Sequence, residues 1–232
     1  VDIFLDIGFT LMGGPNLSPP KKIKCILNLN DDCLGKLSKI IFSENHETPD
    51  SLILSLEKSF RITVADFQRD KITDFWDKQF SEVYEIKGAT SLINSLHKLY
   101  QSIHIVSNLW YPFYNKFSDI FNKSLYCINT ETLSFMEGIT KPSTGFYEIA
   151  LKRSGAIPSN SIMVGDSIDN DIIPCAKLGM KCIWFISRHI NETELKKKKL
   201  NISQYNGIYK VYNLFEVQSV IKRILNEQPE KI

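Results

Sequence analysis

Val1-Asp2-Ile3-Phe4-Leu5-Asp6-Ile7-Gly8-Phe9-Thr10-Leu11 opens the chain and decides how the rest of it is read. Its apolar, β-branched run has no polar alternation, so it reads as a strand buried on both faces, as in a parallel sheet. The run closes on a carboxylate, a glycine and a threonine. In open α/β sheets, ligands bind beyond the carboxyl ends of the strands, where strand order reverses. Asp6 is therefore a candidate site residue, although a lone Asp at a strand end is more often a turn or capping residue.

Outward from that strand, Gly13-Gly14-Pro15, Pro19 and Pro20 stop the extended chain. From Lys21 to about Glu85 the apolar residues recur at helical spacing: Leu34, Leu37, Ile40 and Ile41; Leu52, Leu56 and Phe60; Ile72, Phe75, Trp76, Phe80 and Val83. This predicts a helical module of three or four helices, whose aromatic stripe is its own core. A helix–strand rhythm follows. Leu92 to Leu99 is a helix stripe and Ser102 to Ser107 a strand. Phe113 to Phe121 is a helix and Leu125 to Ile128 a short strand. Ser143 and Thr144 start a helix that Gly155 and Pro158 close, and strands follow at Ser161–Val164 and Lys181–Ile186 around a helix from Ile172 to Leu178. Gly207 to Tyr212 is a last strand, with Asn213 and Glu216 as a capping box for the final helix. Strands alternating with helices imply a mainly parallel sheet covered on both faces. The expected fold class is α/β: a three-layer Rossmann-like core from residues 1–12 and 86–232, interrupted by a small α-helical cap over 13–85.

Composition narrows the function classes. A chain of 232 residues holds one large core plus a satellite, and 43% hydrophobic with 23% charged residues is globular. A net charge of +2 calls for no nucleic acid or acidic membrane, and the basic run Lys196–Lys199 reads as a solvated loop or helix end. Five cysteines without a CxxC pair fit a reduced compartment. No stretch is long enough for a membrane helix, and no leader precedes the first strand. The expectation is a soluble, cytoplasmic protein whose N-terminus, starting at Val1 without Met, has been trimmed.

A parallel sheet would bring separate strand ends to one edge: Asp6; Ser107 and Asn108; Lys141-Pro142; and the cluster Asp166, Asp169 and Asp171. Each residue type has a role if the substrate is a phosphate ester. Mg²⁺ takes oxygen ligands, usually one or two carboxylates plus substrate phosphate and water, which suits Asp6 facing Asp166. A carboxylate can attack phosphorus and split one hard step into two. The Lys141 ammonium and Ser107 hydroxyl would steady charge on the transferring group.

In these motifs the chain resembles the haloacid dehalogenase superfamily, with an α-helical cap inserted after the first strand. The family's first motif appears as Asp6-Ile7-Gly8-Phe9-Thr10-Leu11, the second as Ile105-Val106-Ser107-Asn108, the third as Lys141-Pro142 and the fourth as Val164-Gly165-Asp166-Ser167-Ile168-Asp169-Asn170-Asp171. The resemblance implies that Asp6 is the nucleophile and a Mg²⁺ ligand. It makes Asp166 a direct ligand, adds the Gly8 backbone carbonyl, and gives Asp171 the ordering of metal-bound water. Thr10, Ser107, Asn108 and Lys141 would hold the phosphate or the attacked Asp, and Asp169 is either a site residue or a solvated loop carboxylate.

One position departs from the family. Gly8 replaces the second motif Asp, which in family phosphatases protonates the leaving group and later activates water. Two branches also lack it. Dehalogenases need no metal, against the acidic fourth motif here. Phosphonoacetaldehyde hydrolases use a cap lysine, and none of Lys36, Lys39 and Lys58 sits in a buried context. The reading that remains is a Mg²⁺-dependent phosphatase of a small phosphorylated metabolite with an impaired acid–base step. Its alternative is a weakened member that binds a phosphorylated ligand or a protein partner.

Overall fold

The computed structural model describes residues 1–15, 18–100, 102–186 and 202–227. Strand β1 (Asp2–Leu5) leads through β2 (Met12–Gly13) into four helices: α1 (Pro19–Leu27), α2 (Leu34–Ser43), α3 (Pro49–Phe60) and α4 (Asp66–Glu82). The chain returns through β3 (Tyr84–Glu85), α5 (Ala89–Tyr100), β4 (Ile103–Ser107), α6 (Tyr111–Ile120), β5 (Thr130–Leu133) and α7 (Ser134–Glu137). It finishes with α8 (Thr144–Ser154), β6 (Ser161–Gly165), α9 (Ile173–Lys177), β7 (Lys181–Phe185), β8 (Ile208–Val211) and α10 (Val217–Asn226).

Among the described residues, six strands form one parallel sheet in the order β5-β4-β1-β6-β7-β8. Period-two alternation sorts their side chains. Ile3, Leu5, Ile103, Ile105, Ile162, Val164 and Ile183 pack with α5, α6 and α10 on one face. Phe4, Val106, Met163, Cys182 and Trp184 pack with Phe146, Tyr147 and Ala150 of α8 on the other. Three layers result, and strand order reverses beside β1, with Leu5 between Ile105 of β4 and Val164 of β6.

The four helices after β1 have a core of their own, including Ile23, Leu37, Ile41, Leu52, Leu56, Ile72, Phe75 and Trp76. Thr48 and Ser51 cap α3 reciprocally, each side chain accepting the other's backbone N–H. Two chain crossings tie this cap to the sheet, the antiparallel pair β2 and β3. At Gly13 a Cβ would lie 2.4 Å from the Tyr84 ring, which would have to swing aside. Trp110, which follows β4, leaves the sheet layers and enters the cap core, its ring 5.5 Å from Phe75 and 5.2 Å from Trp76.

Several elements differ from expectation. Leu125–Cys127 is a short 3₁₀ turn, and the strand lies at Thr130–Leu133. Thr-Glu-Thr-Leu is polar because β5 is an edge strand. Glu131 takes a hydrogen bond from the Tyr114 hydroxyl at 2.7 Å, while Tyr126 in the expected strand points to solvent. The helix after β6 starts early, as a widened π-type turn over Ile168–Ile172. In α4 the buried stripe includes Gln79, whereas Phe80 is 41% exposed. Asn213 and Glu216 bond side chain to side chain at 2.6 Å, and Glu216 accepts from the Tyr212 backbone N–H, so the capping box does not close. Ser143 precedes α8 without a side-chain cap. The Lys196–Lys199 run lies outside the described residues. No described helix is long and apolar enough to cross a membrane, and all five cysteines are free thiols.

Two buried imidazoles make stability pH-dependent. Burial holds His104 below its ordinary range against the opposing pull of Asp2, and burial does the same for His46. Below about pH 6.5 the unfolded chain protonates first, so these groups remove stability as pH falls and contribute none above it. Urea unfolding at about pH 7.5 and about pH 5.5 should show a smaller acid-side loss in His104→Gln than in the parent chain.

Candidate active site

Asp6 leaves β1 at the sheet's point of reversal, its backbone N–H bonded to the Val164 carbonyl of β6 at 3.0 Å. Its carboxylate is fixed on both oxygens. Ser107 Oγ donates to Oδ1 at 2.9 Å, Lys141 Nζ donates to the same oxygen at 2.7 Å, and Thr10 Oγ1 donates to Oδ2 at 3.2 Å. Ser107 also accepts the Ile7 backbone N–H at 3.4 Å, so the end of β4 sets the turn that carries Asp6. That turn is tight, with the N–H groups of Thr10, Leu11 and Met12 all directed at the Ile7 carbonyl.

Lys141 Nζ bridges Asp6 to Asp171, donating to Asp171 Oδ1 at 2.5 Å, and both side chains of this second pair are essentially inaccessible to solvent. Burial works against the ammonium, yet the carboxylates of Asp171 and Asp6 together outweigh it and hold Lys141 protonated well above the lysine range. Burial, helped by Asp6, raises the Asp171 carboxyl, and Lys141 offsets part of that rise. The lysine reaches this position because Asn108 clasps its backbone. Asn108 Oδ1 accepts the Lys141 N–H at 2.8 Å, and Nδ2 donates to the Lys141 carbonyl at 3.1 Å. The Lys141–Pro142 peptide is cis.

Beyond β6 the turn is equally determined. Ser167 N–H donates to Asp171 Oδ2 at 2.9 Å, and Ser167 Oγ accepts the Asn170 N–H at 3.2 Å. Asp171 lies flat on Gly165, where an added Cβ would come within 2.5 Å of its Cγ. Trp184 Nε1 in β7 donates to the Asp166 carbonyl at 2.9 Å and pins the other acidic residue from behind. Asp6, Asp166 and Asp171 each place a carboxylate oxygen in a group whose members all lie within 4.8 Å of one another. Three hard oxygen donors of that kind fit Mg²⁺, which binds few carboxylates and keeps open positions for water and phosphate.

A cavity of 340 Å³ opens over this floor. Asp6, Gly8, Asn108, Lys141, Asp166, Asn170 and Asp171 line its base, and Phe9, Phe42, Gln79, Trp110 and Phe113 line the rest, part of it from the cap. Thr10 and Ser107 do not line it. They are fully buried and act by holding Asp6, whereas Lys141 and Asn108 of the same expected set do face the cavity. Asp169 is exposed on the turn, outside the acidic group, so the open question about it resolves to a solvated loop carboxylate. Sequence reasoning missed Trp184 and the packing of Asp171 on Gly165, which no local pattern signals. It also missed Phe9, a cavity residue with φ of 55°, a conformation rare for a bulky side chain. The position of Phe9 between Gly8 and Thr10, where the strand must turn sharply, was the available hint.

The family model of the haloacid dehalogenase-like hydrolases matches residues 37–185, well over half of the chain. The chain belongs to that family. The match contains Ser107, Lys141, Asp166 and Asp171 and begins after Asp6, whose place in the site rests on the geometry above. Two archaeal glyceraldehyde 3-phosphate phosphatases share shorter segments. The one from Pyrococcus furiosus is 36% identical over 67 residues, covering 29% of this chain and 28% of the relative. The one from Methanocaldococcus jannaschii is 29% identical over 87 residues, covering 38% and 35%. The chain thus matches about a third of the length of these curated relatives. A solved haloacid dehalogenase-family enzyme from Bacteroides thetaiotaomicron, in complex with magnesium and inorganic phosphate, shares the fold. It superposes with a TM-score of 0.53 at 15% identity over 84% of this chain and 98% of that one.

Removing one member of the buried charge cluster leaves the others uncompensated. Lys141→Met should cost about 3–5 kcal/mol of stability in denaturant unfolding, and adding Asp171→Asn should return part of that loss.

Proposed function

We propose that this haloacid dehalogenase-like hydrolase is a Mg²⁺-dependent phosphatase of a small phosphorylated metabolite, with Asp6 as nucleophile. The observation that carries the reading is Asp6 itself: a carboxylate fixed by Ser107, Thr10 and Lys141 at the base of a cavity, with two further carboxylates beside it. Asp6 would attack phosphorus, displace the leaving-group oxygen and form an aspartyl-phosphate, which water then cleaves to return the carboxylate. Lys141 supplies a permanent positive charge next to the attacking group, and Asn108 keeps it there. Asp6, Asp166 and Asp171 would hold the magnesium ion, which, when bound, draws charge from the phosphate oxygens. The cavity of 340 Å³ has room for a small metabolite. The curated relatives are named for a small phosphate ester.

Gly8 supports a second reading, a weakened member that binds a phosphorylated ligand without turnover, because no carboxyl stands two residues after the nucleophile. Phosphate release from p-nitrophenyl phosphate and acetyl phosphate separates the two. The phosphatase reading expects turnover that Asp6→Asn abolishes and that chelation of Mg²⁺ removes. Binding of phosphate with Mg²⁺, but no release from any donor, would favour the binder.

Gly165→Ala tests the acidic turn. Its Cβ must displace the Asp171 carboxylate, so turnover should fall by about 10²-fold, the usual penalty for a misplacement near 1 Å, while the far-ultraviolet circular dichroism spectrum stays unchanged.

A further inference from the structure

The wall of the cavity says what kind of phosphoryl donor can use it. Among the described residues lining it, the titratable side chains are Asp6, Lys141, Asp166 and Asp171. All four belong to the base that would receive the phosphoryl group, and Lys141 already donates to two carboxylates. The remaining lining residues are glycine, proline, aliphatic and aromatic side chains together with the neutral hydroxyls and amides of Ser18, Gln79, Asn108, Ser167 and Asn170. None of these can surrender a proton to a departing oxygen. An alkoxide cannot leave unaided at neutral pH, since its conjugate acid is about as weak as water, with a pKa near 15.7. A phenolic oxygen, pKa about 10, or a carboxylate, pKa about 4, can leave as the anion.

We propose that the site selects phosphoryl donors whose leaving group is a weakly basic oxyanion on an apolar body, an aryl or acyl phosphate, in preference to alkyl phosphates. The proposal rests on the phosphatase reading and deepens it. In the first step the Asp6 carboxylate oxygen bonds to phosphorus, the bond from phosphorus to the leaving oxygen breaks, and its electron pair departs on that oxygen with no proton transferred. The second step adds a water oxygen to phosphorus and returns the other pair to Asp6, the water protons going to phosphate and solvent. Phe9, Phe42, Trp110 and Phe113 give an aromatic or apolar acyl body a surface to pack on, and among the described residues no cationic side chain besides Lys141 lines the cavity to attract an acidic one.

Gly8 makes the idea testable, because it lines the cavity, has ordinary backbone geometry, and a Cβ there would meet nothing within 4 Å. The experiment measures kcat/KM with Mg²⁺ for p-nitrophenyl phosphate, acetyl phosphate, butyl phosphate and glyceraldehyde 3-phosphate. The proteins are the full chain, Gly8→Asp and Gly8→Asn, each checked for folding by thermal melting, with Asp6→Asn as the nucleophile control. A positioned general acid contributes about 10²–10⁴-fold. The wild type should therefore favour the aryl and acyl donors by at least about 10²-fold. Gly8→Asp should raise the ratio of alkyl to aryl and acyl rates by at least about tenfold, and Gly8→Asn, which carries no acid, should leave that ratio where it is in the wild type. Comparable rates for alkyl and aryl donors in the wild type, or equal gains from Asp and Asn, would overturn the selectivity while leaving the phosphatase reading intact. Release that survives Asp6→Asn, or no release from any donor, would overturn both.

Discussion

Everything at the sheet edge depends on a single ammonium held between two carboxylates. Lys141, Asp6 and Asp171 come from three separate segments of the chain, and each would be costly to bury alone. Together, at 2.7 and 2.5 Å, the ammonium offsets the two carboxylates down to one net negative charge, and the three fix the relative positions of β1, the Lys141 loop and the turn after β6. The hydrogen bonds around them are directional supports for that charge arrangement: Ser107 and Thr10 on Asp6, Asn108 on the backbone of Lys141, and Ser167 on Asp171.

The same arrangement explains how much could be read from the sequence. Asp6, Ser107 and Asp166 close apolar strand runs, and a parallel sheet sends all such positions to one edge; Lys141, which follows Glu137-Gly138-Ile139-Thr140, was placed with them by the family motif. Their convergence followed from the strand pattern, and the family resemblance assigned their roles. Thr10 and Ser107 were expected to hold either a phosphate or Asp6, and sequence could not say which. The structure shows them turned inward on Asp6. Trp184 was visible as a strand residue, yet its bond to the Asp166 carbonyl joins positions 18 apart through the sheet, a relation no local period encodes. Edge strand β5 escaped notice for the opposite reason, since Thr-Glu-Thr-Leu carries no apolar run and is held by neighbours such as Tyr114 and Arg153.

The substitution at Gly8 gains meaning from its surroundings. A glycine in a crowded turn would signify a steric demand, but the space beside Gly8 is empty, so nothing in the packing requires it. Gly165 is the contrasting case, where the absence of a side chain is what lets Asp171 lie against the strand. The two glycines of the acidic motifs thus have different origins, one in available chemistry and the other in available space.

The position of Trp110 bears on how the two parts of the molecule could have been acquired. Its indole completes the interior of the cap, although it belongs to the chain that follows β4. A segment cut out between Gly14 and Val83 would carry its four helices away without one wall of their own core, exposing the rings of Phe75 and Trp76. The cap is an insertion in sequence, but in packing it is unfinished until the sheet domain supplies that ring. A different helical module grafted onto this sheet would need a matching residue after β4 to close its own core.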